Sequence, residues 1–173
     1  VYKRQPERTV GLYPGWTGTI SSLERLKATG VEDYHQKAFD FIASARNFSS
    51  AFEAQKAGFL SSDDVVLMSY DHVLARALLE AADLAASYTP PADNQIDMYS
   101  GDPALDRDWP IEGTTENDHV IVAKLAEMYT GSGSLSFTEF CDREVEYDVP
   151  LVMLPANVER AKHMAATRKP LNN

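Results

Sequence analysis

The stretch PERTVGLYPGWTGT, residues 6–19, joins a carboxylate to a glycine-rich turn that opens a helix, and the reading of the fold starts from it. Glu7 follows a proline, a short apolar run occupies residues 10–13, and Pro14-Gly15 turns the chain. Glycine has no Cβ, so backbone amides in such a turn can approach a ligand closely. Amides at a helix start have no partner inside the helix and carry the positive end of its dipole, which suits a polarised oxygen or a held water. A carboxylate held beside that nook can work as general acid or base. Glu7 is therefore the candidate catalytic residue, with Pro14 and Gly15 as the candidate corner for water or substrate. A Pro-Gly turn before a helix is also an ordinary way of turning a chain, and at this level both readings stand.

Downstream of the turn the pattern is helical. Ile20, Leu23 and Leu26 recur at helical spacing over residues 16–29, with Gly30 in position to stop the helix. Tyr34, Ala38, Phe41, Ile42 and Ala45 repeat the pattern over 31–46, and Ser50 with Glu53 forms a capping box for a short helix ended by Gly58. Residues 65–68, Val-Val-Leu-Met, are the best β candidate. Over 70–88, Val73, Leu74, Ala77, Leu78, Ala81 and Leu84 form one apolar face of a long helix.

Pro90 and Pro91 end that helix, since proline cannot continue one. Residues 90–114 are polar and aperiodic, and divide a first region, 6–89, from a helical C-terminal region, 115–173. There Thr115 caps a helix to residue 130, and Gly131-Ser132-Gly133-Ser134 breaks the chain as a loop. A helical hairpin then spans 137–154 and 155–169, with Pro155 acceptable as the first residue of its second helix. The expected fold class is mostly α.

Over 173 residues the net charge is −10 and the pI about 4.8, which argues against nucleic acid or an anionic membrane surface as partner. Cys141 is the single cysteine, so no internal disulfide forms, and the reading is a cytoplasmic protein. No apolar run is long enough for a membrane span. His35, His72, His119 and His163 sit on separate predicted helices without a second ligand at metal spacing, so no metal is expected. Asp63, Asp64 and Asp71 read as caps and dipole partners. No nucleophile elbow, phosphate loop or dinucleotide fingerprint is present. Residues 1–5, Val-Tyr-Lys-Arg-Gln, are what a transposon end used in sequencing-library preparation encodes in one frame. They read as an adapter scar on a fragment of a longer protein.

Pro6-Glu7, three residues, then Gly-Leu-Tyr-Pro-Gly-x-x-Gly-Thr resembles the crotonase motif of enoyl-CoA hydratases and isomerases. Residues 43–60, ASARNFSSAFEAQKAGFL, resemble a later helix of that superfamily. The tail ERAKHMAATRKPLNN resembles the end of bifunctional 3-hydroxyacyl-CoA dehydrogenase/enoyl-CoA hydratase proteins.

The resemblance implies that residues 6–89 are the C-terminal part of a crotonase-like α/β fold, followed by a helical extension. The reaction it implies is hydration of a 2-enoyl-CoA to a 3-hydroxyacyl-CoA in fatty-acid β-oxidation, with an acyl-CoA thioester as substrate. Glu7 matches the second catalytic glutamate, and the Gly15 amide matches the position that helps hold the attacking water. Two upstream amides would stabilise the developing oxyanion. No cofactor is implied for these residues, and NAD belongs to a dehydrogenase part expected upstream. The chain by itself is expected to be inactive. Trp16 stands where the family has a small residue, and its indole is expected to narrow the pocket or pack on the acyl chain. The alternative is a catalytically inactive crotonase-like module for docking or oligomerisation, and a homo-oligomer is compatible with either.

Overall fold

Four helices bring their apolar faces to the centre of the molecule: α1 (Gly18–Ala28), α2 (Tyr34–Ala43), α5 (Glu116–Tyr129) and α6 (Phe137–Val152). In this computed structural model the described residues are 6–45, 47–90, 92–101, 105–106, 109 and 113–173. The chain also forms α3 (Ala51–Lys56), α4 (Val73–Ala85) and α7 (Pro155–Thr167), with strands β1 (Gln95–Asp97) and β2 (Ser134–Ser136). A 3-10 turn, Pro6–Val10, precedes α1. The mostly α expectation agrees with this architecture. The expected scar, residues 1–5, lies outside the described residues.

The helical spacing read from the sequence decides the core. Ile20, Leu23 and Leu26 of α1 are buried against Ala38, Phe39 and Ile42 of α2, and Ile121, Leu125 and Met128 of α5 join them with Phe140 of α6. Each of the Leu, Ile, Phe and Met side chains among them contributes about 1.5–3 kcal/mol on leaving water. Helices on either side of the polar connection thus share one apolar centre, and α7 packs on the 3-10 turn and on α6.

Local capping explains the boundaries. The Thr115 hydroxyl accepts from the Asp118 amide while the Asp118 carboxylate accepts from the Thr115 amide, a complete capping box for α5. Ser50 accepts from the Glu53 amide as the spacing predicts, but the Glu53 carboxylate reaches back to the amide and hydroxyl of Ser49 rather than to Ser50. α6 has a box of the same kind between Ser136 and Glu139.

Two expectations need correction. Residues 65–68 are not a strand: Val65 and Met68 are exposed and no neighbour among the described residues pairs with them. A strand needs a partner for its amides and carbonyls. The strands lie instead in the polar connection and at the end of the Gly-Ser run, paired antiparallel with Ile96 opposite Leu135. The first helix starts at Gly18 rather than Trp16, because Trp16 and Thr17 adopt left-handed conformations, with φ of 55° and 64°.

Helix α4 adds no buried residue to this centre. Its apolar face is where the periodicity puts it, yet no residue of the helix is buried, and Leu74, Leu78 and Leu84 are 71%, 64% and 65% exposed. Among the described residues, no helix is long and apolar enough to cross a membrane.

Candidate functional site

The turn at residues 13–19 is held by α6, which presents Glu144 and Asp148 one helical turn apart on a single face. Glu144 accepts a hydrogen bond from the Thr17 amide at 3.1 Å and a very short one from the Thr19 hydroxyl. The anion at the start of α1 is therefore a carboxylate of the chain itself. Of the amides at this helix start, the Thr17 amide is thereby satisfied from within the chain. Tyr129, fully buried on α5, donates from its hydroxyl to the Thr19 carbonyl at 3.0 Å, fixing the same turn from below.

Gly15 faces Asp148. A Cβ placed on Gly15 would lie 3.9 Å from the Asp148 carboxylate, and the Gly15 carbonyl accepts from Gly18 at 3.1 Å. Burial raises the Asp148 pKa to about 6 against the pull of a Tyr13 backbone hydrogen bond, and the Glu144 charge adds to the rise. Its Oδ1 is buried without a hydrogen-bond partner among the described residues, as is the hydroxyl of Tyr13, a residue only 1% exposed. Burial drives the Tyr13 phenol far above its ordinary range, with the Asp148 and Glu144 charges adding to it, so it stays protonated. A carboxyl that titrates near 6 beside a permanently protonated phenol is a proton donor and acceptor in the physiological range. Pro14 is buried against the start of α1, where a Cβ on Gly18 would strike its ring.

Glu7 lies in the 3-10 turn that α7 and α2 support. Its carboxyl is half-buried. Burial raises its pKa, partly offset by a hydrogen bond from its own backbone, and Oε2 is buried without a hydrogen-bond partner among the described residues. The neighbouring residue anchors the turn: Arg8 pairs with Asp118 at 2.7 Å, and Arg160, 2% exposed, meets the same carboxylate oxygen at 2.7 Å. Arg160 also donates to the Arg8 carbonyl and the Thr115 hydroxyl. Position 7 is thus set by an ion network reaching α5 and α7.

Of the residues expected from the sequence, Gly15 meets Asp148, Pro14 packs in the turn, and Glu7 is held in the neighbouring 3-10 turn. Trp16 is fully exposed. Asp148, Tyr13 and Glu144 were not legible as site residues. The spacing of 144 and 148 puts them on one helix face, but nothing in the sequence says that this face meets a turn about 130 residues earlier.

Several other chemistry-bearing side chains have structural partners or are partly buried. His35 bonds the Asp97 carbonyl at 2.7 Å, and burial lowers its pKa. His119 meets Trp109 edge to face. Asp64 accepts from the Ser61 amide and pairs with Arg25, and Cys141 is half-buried with its thiol pKa raised by that burial. Among the described residues, no group of three or more His, Cys, Asp or Glu side chains is placed to hold a metal.

Compared with known proteins, the sequence matches no family model and no curated protein, and the structure matches no solved structure.

Proposed function

We propose that this chain carries the second catalytic carboxyl of a crotonase-like 2-enoyl-CoA hydratase of fatty-acid β-oxidation, with Glu7 as acid/base. The observation that supports the reading is the state of that side chain: half-buried, its pKa raised by burial, one oxygen without a partner among the described residues. A carboxyl that keeps its proton nearer neutral pH is a better donor. In hydration, oxygen from water bonds to the β-carbon of the enoyl thioester while a proton goes to the α-carbon. A protonated Glu7 supplies that proton and recovers one from the attacking water. In the natural polypeptide that contains this chain, Glu7→Gln is expected to lower the hydration rate about a hundredfold or more, followed by loss of the enoyl thioester absorbance. An unchanged rate would remove Glu7 from the chemistry.

A second reading, a helical oligomerisation module without chemistry, is favoured by α4 alone. A 13-residue helix with four leucines exposed has buried none of its apolar face within the chain, and such a face usually marks an interaction site. Light scattering is then expected to give a mass that is a multiple of 19.2 kDa. The double change Leu74→Lys and Leu78→Lys returns it to the monomer. A wild-type chain that stays monomeric at high concentration contradicts this reading.

A further inference from the structure

A cleft of about 750 Å³ opens between α2, α3, Leu105 and Trp109, and its lining includes none of Glu7, Pro14 and Gly15. Its volume lies within the range of roughly 300–1,000 Å³ typical of small-molecule sites. The floor is aromatic and buried. Phe41 stacks on Phe48 with ring centres 4.8 Å apart and meets Phe59 at 4.3 Å. Trp109 forms a wall, and its Nε1–H is buried with no acceptor among the described residues.

The rim is different in kind. Lys37 and Lys56 border the opening, in a chain whose net charge is −10. Lys37 pairs with Asp33 at 3.5 Å, whereas Lys56 makes no ion pair among the described residues. Asp40 also lines the rim, but its carboxylate accepts from Gln36 at 2.8 Å. The cleft therefore sets an apolar, aromatic floor beneath a rim on which two lysines stand with one carboxylate, and Lys56 is the cation there without an ion pair among the described residues.

We propose that this cleft binds an amphipathic anion, an alkyl or aryl body carrying one carboxylate or phosphate head. The body rests on the Phe41, Phe48 and Phe59 floor beside Trp109, and the head meets Lys56, with Lys37 as a second donor. The site goes beyond the hydratase reading, since it stands whether or not Glu7 takes part in any reaction. Apolar contact supplies the larger share of affinity, and the lysine selects for negative charge at a cost in salt sensitivity.

The chain holds two tryptophans, Trp16 and Trp109, and the first is fully exposed. Trp16→Phe therefore leaves one indole, on the wall of the cleft. Titrating this variant with dodecanoate or dodecyl phosphate, each below its micellar concentration, is expected to give a saturable change in Trp109 fluorescence and a shift of its Nε1–H resonance. The arm with the tighter response identifies the head group. Adding Lys56→Glu is expected to weaken binding about tenfold at low salt. Lys162→Glu, which changes the net charge equally from an exposed position on α7 outside the cleft lining, is expected to leave binding unchanged. The proposal is overturned by a non-saturable response, by decanol binding as tightly as either anion, or by equal weakening in the two lysine variants.

Discussion

Replacing Asp118 by alanine is expected to lower the unfolding free energy by about 3–5 kcal/mol, the cost of breaking a buried ion pair from one side. The carboxylate is 7% exposed and one of its oxygens meets both Arg8 and Arg160 at 2.7 Å. Its loss leaves the Arg160 guanidinium buried without its anion. The other oxygen closes the capping box with Thr115, so the start of α5 loses a cap worth about 1 kcal/mol as well. Urea denaturation should show a lower midpoint with an unchanged slope. A midpoint within experimental error of wild type would mean that the two arginines find other partners without cost.

The same residue fixes a pH dependence. Burial by itself would raise the Asp118 pKa, but the Thr115 backbone hydrogen bond, the Arg160 hydrogen bond and the Arg8 charge outweigh it and hold the carboxyl below its ordinary value. A depressed carboxyl contributes stability that is fully present above its unfolded pKa, about 4, and that is lost as pH falls through the lower folded value. The difference in stability between wild type and Asp118→Asn should therefore shrink below pH 4. Asp148, raised to about 6, acts with the opposite sign: stability is lost as pH climbs from its unfolded value to about 6 and is level above that.

Gly11→Ala is expected to cost roughly 3–4 kcal/mol, as backbone strain and a broken buried hydrogen-bond set combine. Gly11 has φ of 92°, which side-chain-bearing residues rarely adopt, and a Cβ there would fall inside the van der Waals envelope of the Asn157 side chain. Asn157 is 2% exposed. Its Nδ2 donates to the Gly11 carbonyl at 2.7 Å and to the Leu151 carbonyl at 2.8 Å, and its Oδ1 accepts from Asn117 at 2.8 Å. One amide thereby ties the turn after Glu7 to α5 and to the end of α6. Gly30→Ala is the control, since Gly30 has φ of 77° with open space around it and should lose only about 1–2 kcal/mol. Equal losses in the two variants, measured by thermal unfolding, would show that the Asn157 lock carries no weight.

Some of this was legible from residue spacing. Ile20, Leu23 and Leu26 announce a buried helix face because one element's period is a local property. Thr115 announces the start of α5 because a cap lies within three residues of the amide it serves. The strands were not legible: the β-rich residues 65–68 found no partner, while Gln95–Asp97, polar and in a region without period, found one in Ser134–Ser136. Pairing depends on what lies alongside. Glu7 could be singled out in the sequence, but the burial that raises its pKa could not.

By itself, then, the sequence determined the helices, their caps and their apolar faces, because these depend on neighbours three or four residues away. Only the tertiary structure decided which faces are covered and which carboxylates lose water. It left the leucines of α4 exposed, placed Glu144 on the start of α1, and set Asp148 against Gly15. The physical reason is that desolvation and long-range ion pairing depend on groups that meet across more than a hundred residues, and residue type carries no record of that meeting.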